Sequence, residues 1–392
     1  MNRKNLIVLL VLVLTIGGIG LALFVQNRAA WNEAQSRLGQ KFLADLKIND
    51  VAQIYIKQGK SELTLIKQGA GWVIKERGGF PADYAQVADF LLKARDLKVV
   101  QTEAIADAQR PRLDLADPAA PKGAGTLLEF RDSTGKPMRS LIIGRQHFGA
   151  PPIPVPGQKG PPDGRYLLVT PNAASYVLTS DPLNAVEPKA EKWLPKDFIR
   201  IDRVSSLSVT PPEGAAWKIT RAEEAGQWQL AGAKANEKLD PSKAVGVVNS
   251  LYSPAFVDVV ADPKPEQTSL DKPTLVAIET FDGFKYALKI GRKAGDPNDY
   301  LTLTVDADIA KQRSARADEK AEDKDKSDKE FAKKTKDLED KLKREKALEK
   351  WVFAVEKKTF AAVQLERSQL LEQPQKAEPA PPKGATKPAR KP

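Results

Sequence analysis

The stretch Leu141-Ile142-Ile143-Gly144-Arg145 decides the fold prediction because a near copy occurs at Leu288-Lys289-Ile290-Gly291-Arg292. Before each copy come a strand pattern, a tryptophan, a helix pattern and a hairpin pattern in the same order, and after each copy comes a hairpin led by a tyrosine. The order predicts an α+β fold with two tandem repeats, each consisting of an antiparallel sheet plus a helix. We expect each copy to close a hairpin at its glycine.

The repeats are predicted over residues 48–190 and 191–373. Two helices have clear starts, one after Pro81-Ala82-Asp83 and one near Asp240-Pro241, since aspartate and proline are favoured at helix N-termini. Two weaker helix starts are predicted at Ser180-Asp181-Pro182 and at Thr359. The hairpin turn at Asp282-Gly283 is the strongest short hairpin signal in the chain.

A charged insertion, residues 308–350, interrupts the last hairpin of the second repeat. Tyr300 to Leu303 matches Tyr166 to Val169, but its partner strand, Trp351 to Val355, follows only after about forty residues. The large apolar residues of the insertion are too few for the sustained heptads of a coiled coil. Its composition leaves two alternatives open, a solvated helical arm and a disordered loop.

The N-terminus carries a membrane signal. Residues 6–25 form an uncharged run of 20 residues after Arg3 and Lys4, which is long enough to span a bilayer as a helix. We expect a transmembrane anchor over residues 1–30 with a cytoplasmic N-terminus and an exported remainder, the alternative being a cleaved signal peptide. An amphipathic helical stalk is predicted over residues 31–47, and residues 374–392 read as a disordered basic tail of Pro, Lys and Ala.

The composition excludes several chemistries. The 392 residues include no cysteine and one histidine, His147, so disulfides, thiolate catalysis and multi-histidine metal sites are excluded. No glycine-rich phosphate loop ends in Lys-Ser or Lys-Thr, so we expect no ATP hydrolysis. The net charge is +11, but residues 311–350 hold 15 basic and 12 acidic side chains, and no basic stripe interleaved with aromatics appears. We therefore expect no nucleic-acid partner.

The remaining candidates for a site each have a structural alternative. His147 is a possible general base without a visible partner, and Arg145 and Arg292 could hold an anionic ligand or pair with carboxylates. Trp72 and Trp228 could stack on sugar rings or anchor a core.

The acidic pair Glu223-Glu224 has nothing that would place its carboxylates on opposite sides of a substrate, as a glycosidase requires. We predict no catalytic, cofactor-binding or metal-binding residues and expect a non-enzymatic protein.

Residues 50–370 resemble the domain-of-unknown-function 4340 family of bacterial membrane-anchored proteins. The resemblance is carried by the N-terminal apolar run, Gly71-Trp72, Ile143-Gly144-Arg145 with Tyr166 beyond it, and the segment from Trp193-Leu194 to Phe198-Ile199. It implies an extracytoplasmic protein associated with ABC-type transporters related to gliding-motility systems.

The expected function is that of a single-pass accessory or scaffold protein of such a complex, with protein partners in the envelope. The alternatives are a module that binds peptidoglycan or polysaccharide through exposed tryptophans and, as a third class, a carboxylate-based envelope hydrolase.

Overall fold

The computed structural model describes residues 38–151, 159–169, 175–313 and 321–372. The chain divides into two compact units, Met1–Lys196 and Asp197–Pro392. Each unit is built on one antiparallel sheet with few helices, so the described chain is mostly β. At this level the fold prediction is confirmed.

The sheet of the first unit has nine strands in the order β4-β3-β2-β1-β6-β7-β8-β9-β5. The strands are β1 (Gln53–Gln58), β2 (Ser61–Gln68), β3 (Gly71–Ile74), β4 (Phe80–Pro81), β5 (Val99–Ala104), β6 (Thr126–Arg131), β7 (Pro137–Phe148), β8 (Pro162–Val169) and β9 (Ser175–Thr179).

Helix α1 (Tyr84–Asp96) covers one face of this sheet, as predicted. The Asp83 carboxylate accepts hydrogen bonds from the amides of Ala85 and Gln86, which starts the helix. The Phe90 ring packs at 6.0 Å from Phe130 and at 5.5 Å from Trp193, and these aromatic contacts form the centre of the core.

The sheet of the second unit has eight strands in the order β12-β11-β10-β14-β15-β16-β17-β13, which is the order of the first sheet without β4. The strands are β10 (Val204–Thr210), β11 (Trp217–Thr220), β12 (Gln229–Leu230), β13 (Asp258–Val260), β14 (Thr274–Thr280), β15 (Phe284–Arg292), β16 (Asn298–Ala307) and β17 (Val352–Glu356). The helices are α2 (Pro241–Ser250), α3 (Pro265–Thr268) and α4 (Ala321–Lys346).

The strand registers show which residues occupy matched positions in the two sheets. Thr126 lies opposite Ile143 in the first sheet, and Thr274 lies opposite Ile290 in the second. Each isoleucine is followed by the glycine and arginine of the repeated stretch. Gly144 and Gly291 therefore occupy the same place in their sheets.

The pairing of β7 with β6 ends at Ile143 and that of β15 with β14 ends at Ile290, so each hairpin closes directly before its glycine, as predicted. Both strands nevertheless continue through the glycines and pair beyond them with the next strand of the sheet. Both glycines are buried, and a loop crossing the sheet packs directly on each. A side-chain carbon on Gly144 would lie 2.4 Å from the carbonyl oxygen of Leu113, and one on Gly291 would lie 2.1 Å from that of Thr268. Glycine is required here because the loop backbone leaves no room for a side chain.

Three helix predictions are wrong in the described residues. Residues 38–47 of the predicted stalk form turns and a bridge between Lys41 and Lys98, and Leu43 and Leu46 are buried in the first unit. The segment after Ser180 has only a short 3-10 turn, and so does the segment after Thr359. The apolar residues of these segments pack into the cores as irregular coil, so their spacing resembles that of helices without helical hydrogen bonding.

The two segments that follow the last hairpins have matched roles. The amide of Asp83 donates to the carbonyl oxygen of Trp193 at 2.7 Å, and the amide of Asp240 donates to that of Leu370 at 2.8 Å. In both units the chain thus returns to the start of the covering helix.

No helix in the described parts of the chain is long and apolar enough to cross a membrane. The predicted anchor over residues 1–30 and the predicted tail over residues 374–392 lie outside the described residues.

Gly144→Ala and Gly291→Ala should each lower the free energy of unfolding by about 1–3 kcal/mol, because the added carbon must displace backbone. Denaturant unfolding monitored by circular dichroism checks this. Gly246→Ala is the matched control, since no heavy atom lies within 4 Å of its added carbon. In the exposed helix α2 this change should stabilise by up to about 1 kcal/mol. A Gly291→Ala chain as stable as the unaltered protein would contradict the close-approach explanation.

Candidate functional site

The two arginines of the repeated stretch have different surroundings. Nε and Nη2 of Arg292 donate to Oδ1 and Oδ2 of Asp299 at 3.0 and 2.7 Å, and the Asp299 side chain is fully buried. This two-point ion pair raises the pKa of Arg292. The carboxylate alternative is therefore correct for Arg292, and Asp299 occupies the place of an anionic ligand.

Leu167 and Leu301 lie opposite the matched isoleucines and therefore occupy equivalent positions in the two sheets. Two residues before each leucine, the first unit has Arg165 where the second has Asp299. Arg165 donates to the carbonyl oxygens of Gly144 at 2.6 Å and Pro182 at 3.1 Å, and burial lowers its pKa. Arg145 is exposed, with its guanidinium 6.0 Å from the ring centroid of Tyr166. The first unit thus lacks the buried ion pair of the second.

His147 gains a partner that the sequence did not reveal. Its Nδ1 lies 2.6 Å from Oδ1 of Asp163, and its ring contacts the Tyr166 ring edge-to-face at 6.0 Å. The neighbouring strand β8 supplies Asp163 through a bulged register. A histidine held by a carboxylate can act as a general base, but a reaction also needs a group to be activated. Within the described residues the imidazole makes no other hydrogen bond.

A second apolar cluster covers the outer face of the first sheet. The residues between β5 and β6, which the sequence presents as a polar linker, contribute Ile105 and Leu115 to it. The Tyr176 hydroxyl, at the edge of the cluster, donates to Glu103 at 2.8 Å, and burial raises the pKa of Tyr176. Packing in this cluster explains why Ile105, Leu115 and Tyr176 are buried, without any role in binding a ligand.

The tryptophans of the sugar-stacking alternative are not equivalent. The pair Leu65–Ile74 of the first sheet corresponds to the pair Ile219–Leu230 of the second. Trp72 and Trp228 lie two residues before Ile74 and Leu230, so they occupy matched positions. Trp72 is 5% exposed, which counts against stacking on a ligand. Trp228 is half-buried, and the Arg221 guanidinium lies 4.7 Å from its ring centroid.

The acidic pair is split between two surroundings. Glu224 accepts a hydrogen bond from Nε of Arg203 at 2.8 Å, whereas the Glu223 side chain is exposed. The two carboxylates do not converge on a common point with the geometry of a glycosidase.

The most extended surface feature is α4, which lies inside the predicted insertion. Residues 321–346 are helical, so of the two alternatives the helical arm is correct for this part. Its half-buried and buried positions, spaced by 4, 4, 3, 4 and 3 residues along one face, are Ser327, Phe331, Thr335, Leu338, Leu342 and Glu345, and Lys341 beside them is also half-buried. Residues 314–320 lie outside the described chain.

A buried carboxylate anchors the C-terminal end of α4. Glu345 is 4% exposed and accepts hydrogen bonds from the Tyr286 hydroxyl at 2.7 Å and from the Arg200 amide at 3.1 Å. Burial raises the pKa of Glu345, and burial beside this carboxylate raises the pKa of Tyr286. The sequence offered no signal for this contact, because 59 residues separate the tyrosine from the glutamate.

Surface contacts hold the rest of the helix. Lys346 pairs with Asp306 at 3.1 Å, and Lys334 pairs with Asp282 at 2.8 Å. Exposed ion pairs of this kind contribute little individually. The buried hydrogen bonds of Glu345 and the half-buried face of the helix are therefore the contacts that position α4.

Among the described residues no group of three or more histidine, aspartate or glutamate side chains could hold a metal ion. Comparisons with known proteins found no matching family model, no matching curated protein and no matching solved structure.

Arg292→Met should lower the free energy of unfolding by about 3 kcal/mol, because it leaves the buried Asp299 carboxylate without its partner. Arg145→Met, at the matched position of the first unit, should change it by less than about 1 kcal/mol. Denaturant unfolding of both variants checks this. Equal effects would show that the buried pair is not the difference between the two units.

Docking of α4 should weaken as the pH rises. The folded pKa of Glu345 lies above the unfolded value of about 4.3, so its stabilising contribution is complete below that value and is lost as the pH rises through the folded pKa. Hydrogen exchange of residues 340–346, corrected for intrinsic rates, measures the docking.

Glu345→Gln should remove this part of the pH dependence, because the amide does not titrate. Glu339→Gln, at an exposed position of the same helix, should leave it unchanged. The same pH dependence in the Glu345→Gln chain and the unaltered chain would assign the effect to other groups.

Proposed function

We propose that this chain is a membrane-anchored, extracytoplasmic interaction protein that presents α4 to a protein partner. The supporting observation is the anchor at Glu345, which holds the C-terminal end of a 26-residue helix on the second sheet while most of its surface stays exposed. A helix positioned in this way gives a partner a preorganised surface and reduces the entropy that binding would cost.

The charges of α4 favour a protein partner over a nucleic acid. The helix carries 10 basic and 9 acidic residues, so it lacks the excess of positive charge that phosphate backbones require. Interspersed charges of both signs match a protein surface by electrostatic complementarity, which contributes specificity and association rate more than affinity. We therefore assign α4 the role of a specificity element.

The membrane anchor and the transporter link rest on the sequence. The apolar run over residues 6–25 supports a single span with an exported remainder, and the resemblance to the domain-of-unknown-function 4340 family supports an ABC-type transport or motility complex as the partner. The shared strand order of the two sheets supports an origin by tandem duplication. The second unit then differs from the first by having gained α4.

Site-specific photo-crosslinking in intact membranes tests the proposal. A crosslinking residue at the exposed positions Lys329 or Ala332 of α4 should capture transporter subunits. The control position is Gln58, an exposed residue at the end of β1 in the first unit, and it should not capture them. A reporter fused after Pro392 tests the topology independently.

The anchor is tested in the same experiment. Glu345→Ala removes the carboxylate that receives the Tyr286 hydroxyl, and it should lower the crosslinking yield from Lys329 several-fold, whereas Glu339→Ala should not. Capture of the same subunits from Gln58 and Lys329 with equal yield would contradict the assignment to α4. A cytoplasmic reporter signal would overturn the predicted topology.

A further inference from the structure

A groove of about 210 Å³ lies in the second unit beside α2. Its lining includes the exposed side chains of Val245 and Tyr252 and the half-buried Val248, together with Trp228 and Arg221. None of its lining residues belongs to α4 or donates a hydrogen bond to Glu345. Its remaining lining residues are Ile201, Arg203, Val204 and Asn249.

The first unit provides an internal comparison for this groove. Trp72, at the position matched to Trp228, is buried. The covering helix α1 has 13 residues and the strand β3 has four, whereas α2 has 10 and β12 has two. In the second unit the matched Trp228 is half-buried, and Val245, which lines the same groove, is 47% exposed.

Arg221 brings a positive charge to the groove. Its Nε donates to the carbonyl oxygen of Val204 at 2.8 Å and its Nη1 to that of Glu224, and its guanidinium stacks over Trp228. It forms no ion pair with a carboxylate of the described residues. By contrast, Arg203 pairs with Glu224 and Asp282.

These contacts orient the guanidinium of Arg221 without neutralising it. Carbonyl oxygens carry only partial charges, and the stacked indole excludes water from one face of the cation. A carboxylate that enters the groove would therefore meet a positioned, uncompensated cation, which is the geometry that favours charge-assisted hydrogen bonds. The apolar side chains of the lining suit a hydrophobic side chain.

We propose that the groove binds an acidic peptide of a partner protein, with an apolar side chain against Val245 and Tyr252 and an adjacent carboxylate on Arg221. Sites for cofactors are usually about 300–1,000 Å³, so this groove suits one or two side chains. A contact of roughly ten atoms gives a dissociation constant on the order of 1 mM. The groove is a second contact surface for the partner protein, besides α4, and the presence of that partner rests on the proposed function.

Titration calorimetry on the full chain tests this proposal with four probes. The first is an acetylated and amidated pentapeptide in which leucine precedes aspartate between glycines. The second has asparagine in place of aspartate, the third has glycine in place of leucine, and the fourth is maltotriose. The first probe should bind in the millimolar range, and the other three should bind at least tenfold more weakly.

Variants assign the binding to the groove. Arg221→Gln should weaken binding of the first probe at least tenfold, while Arg221→Lys, which keeps the charge and controls for folding, should retain most of it. Lys67→Gln changes the matched position of the first unit and should have no effect. The Glu345→Ala chain should bind the probe normally, so failure of α4 as a partner contact is distinguishable from failure of the groove.

Several results would overturn the proposal. These are equal binding of the aspartate and asparagine peptides, unchanged binding by the Arg221→Gln chain, or no binding of the first probe at concentrations well above the expected constant. Binding of maltotriose alone would assign the groove to a sugar instead of a peptide.

Discussion

The constraint on which both sheets depend is the passage of one loop across the strands. In the first unit the edge strand β5 pairs with β9, and the next strand, β6, lies on the far side of β7. The connecting loop must therefore cross the sheet, and it touches the sheet at Gly144. In the second unit the connection from β13 to β14 makes the same crossing and touches the sheet at Gly291. Backbone resting on backbone leaves no volume for a side chain, which gives the repeated glycine its physical reason.

The two units use this common frame differently. In the first, the longer crossing loop brings Ile105 and Leu115 onto the outer face of the sheet, where they form a second apolar cluster. In the second, the buried position beside the glycine carries Asp299, which requires Arg292 as its partner. The matched Arg165 of the first unit is satisfied by carbonyl oxygens. A buried charge needs either an opposite charge or hydrogen bonds, and the two units meet this need differently at this position.

The features that we connect with binding lie where the second unit departs from the first. The buried carboxylate of Glu345 holds α4 against the sheet, and near α2 the half-buried Trp228 stacks with Arg221, which forms no ion pair with a described carboxylate. In the first unit the matched Trp72 is buried. The first unit therefore serves as a structural reference, within the same chain, for the features in which the second differs.

The sequence by itself determined the elements whose signals are local. Alternating apolar residues and a repeated stretch were sufficient to predict two antiparallel sheets with the same succession of elements along the chain, and Asp83 and Asp240 marked the starts of two helices. Only the tertiary structure decided the reason for Gly144, the Asp163 partner of His147 and the anchoring of α4 by Glu345. These contacts join residues far apart in the chain. The spacing of apolar residues predicts helices and strands, but it does not predict which distant side chains come into contact. The structure also overturned the helical stalk over its described residues 38–47, because apolar residues spaced as in a helix can equally be buried by an irregular segment that packs against a sheet.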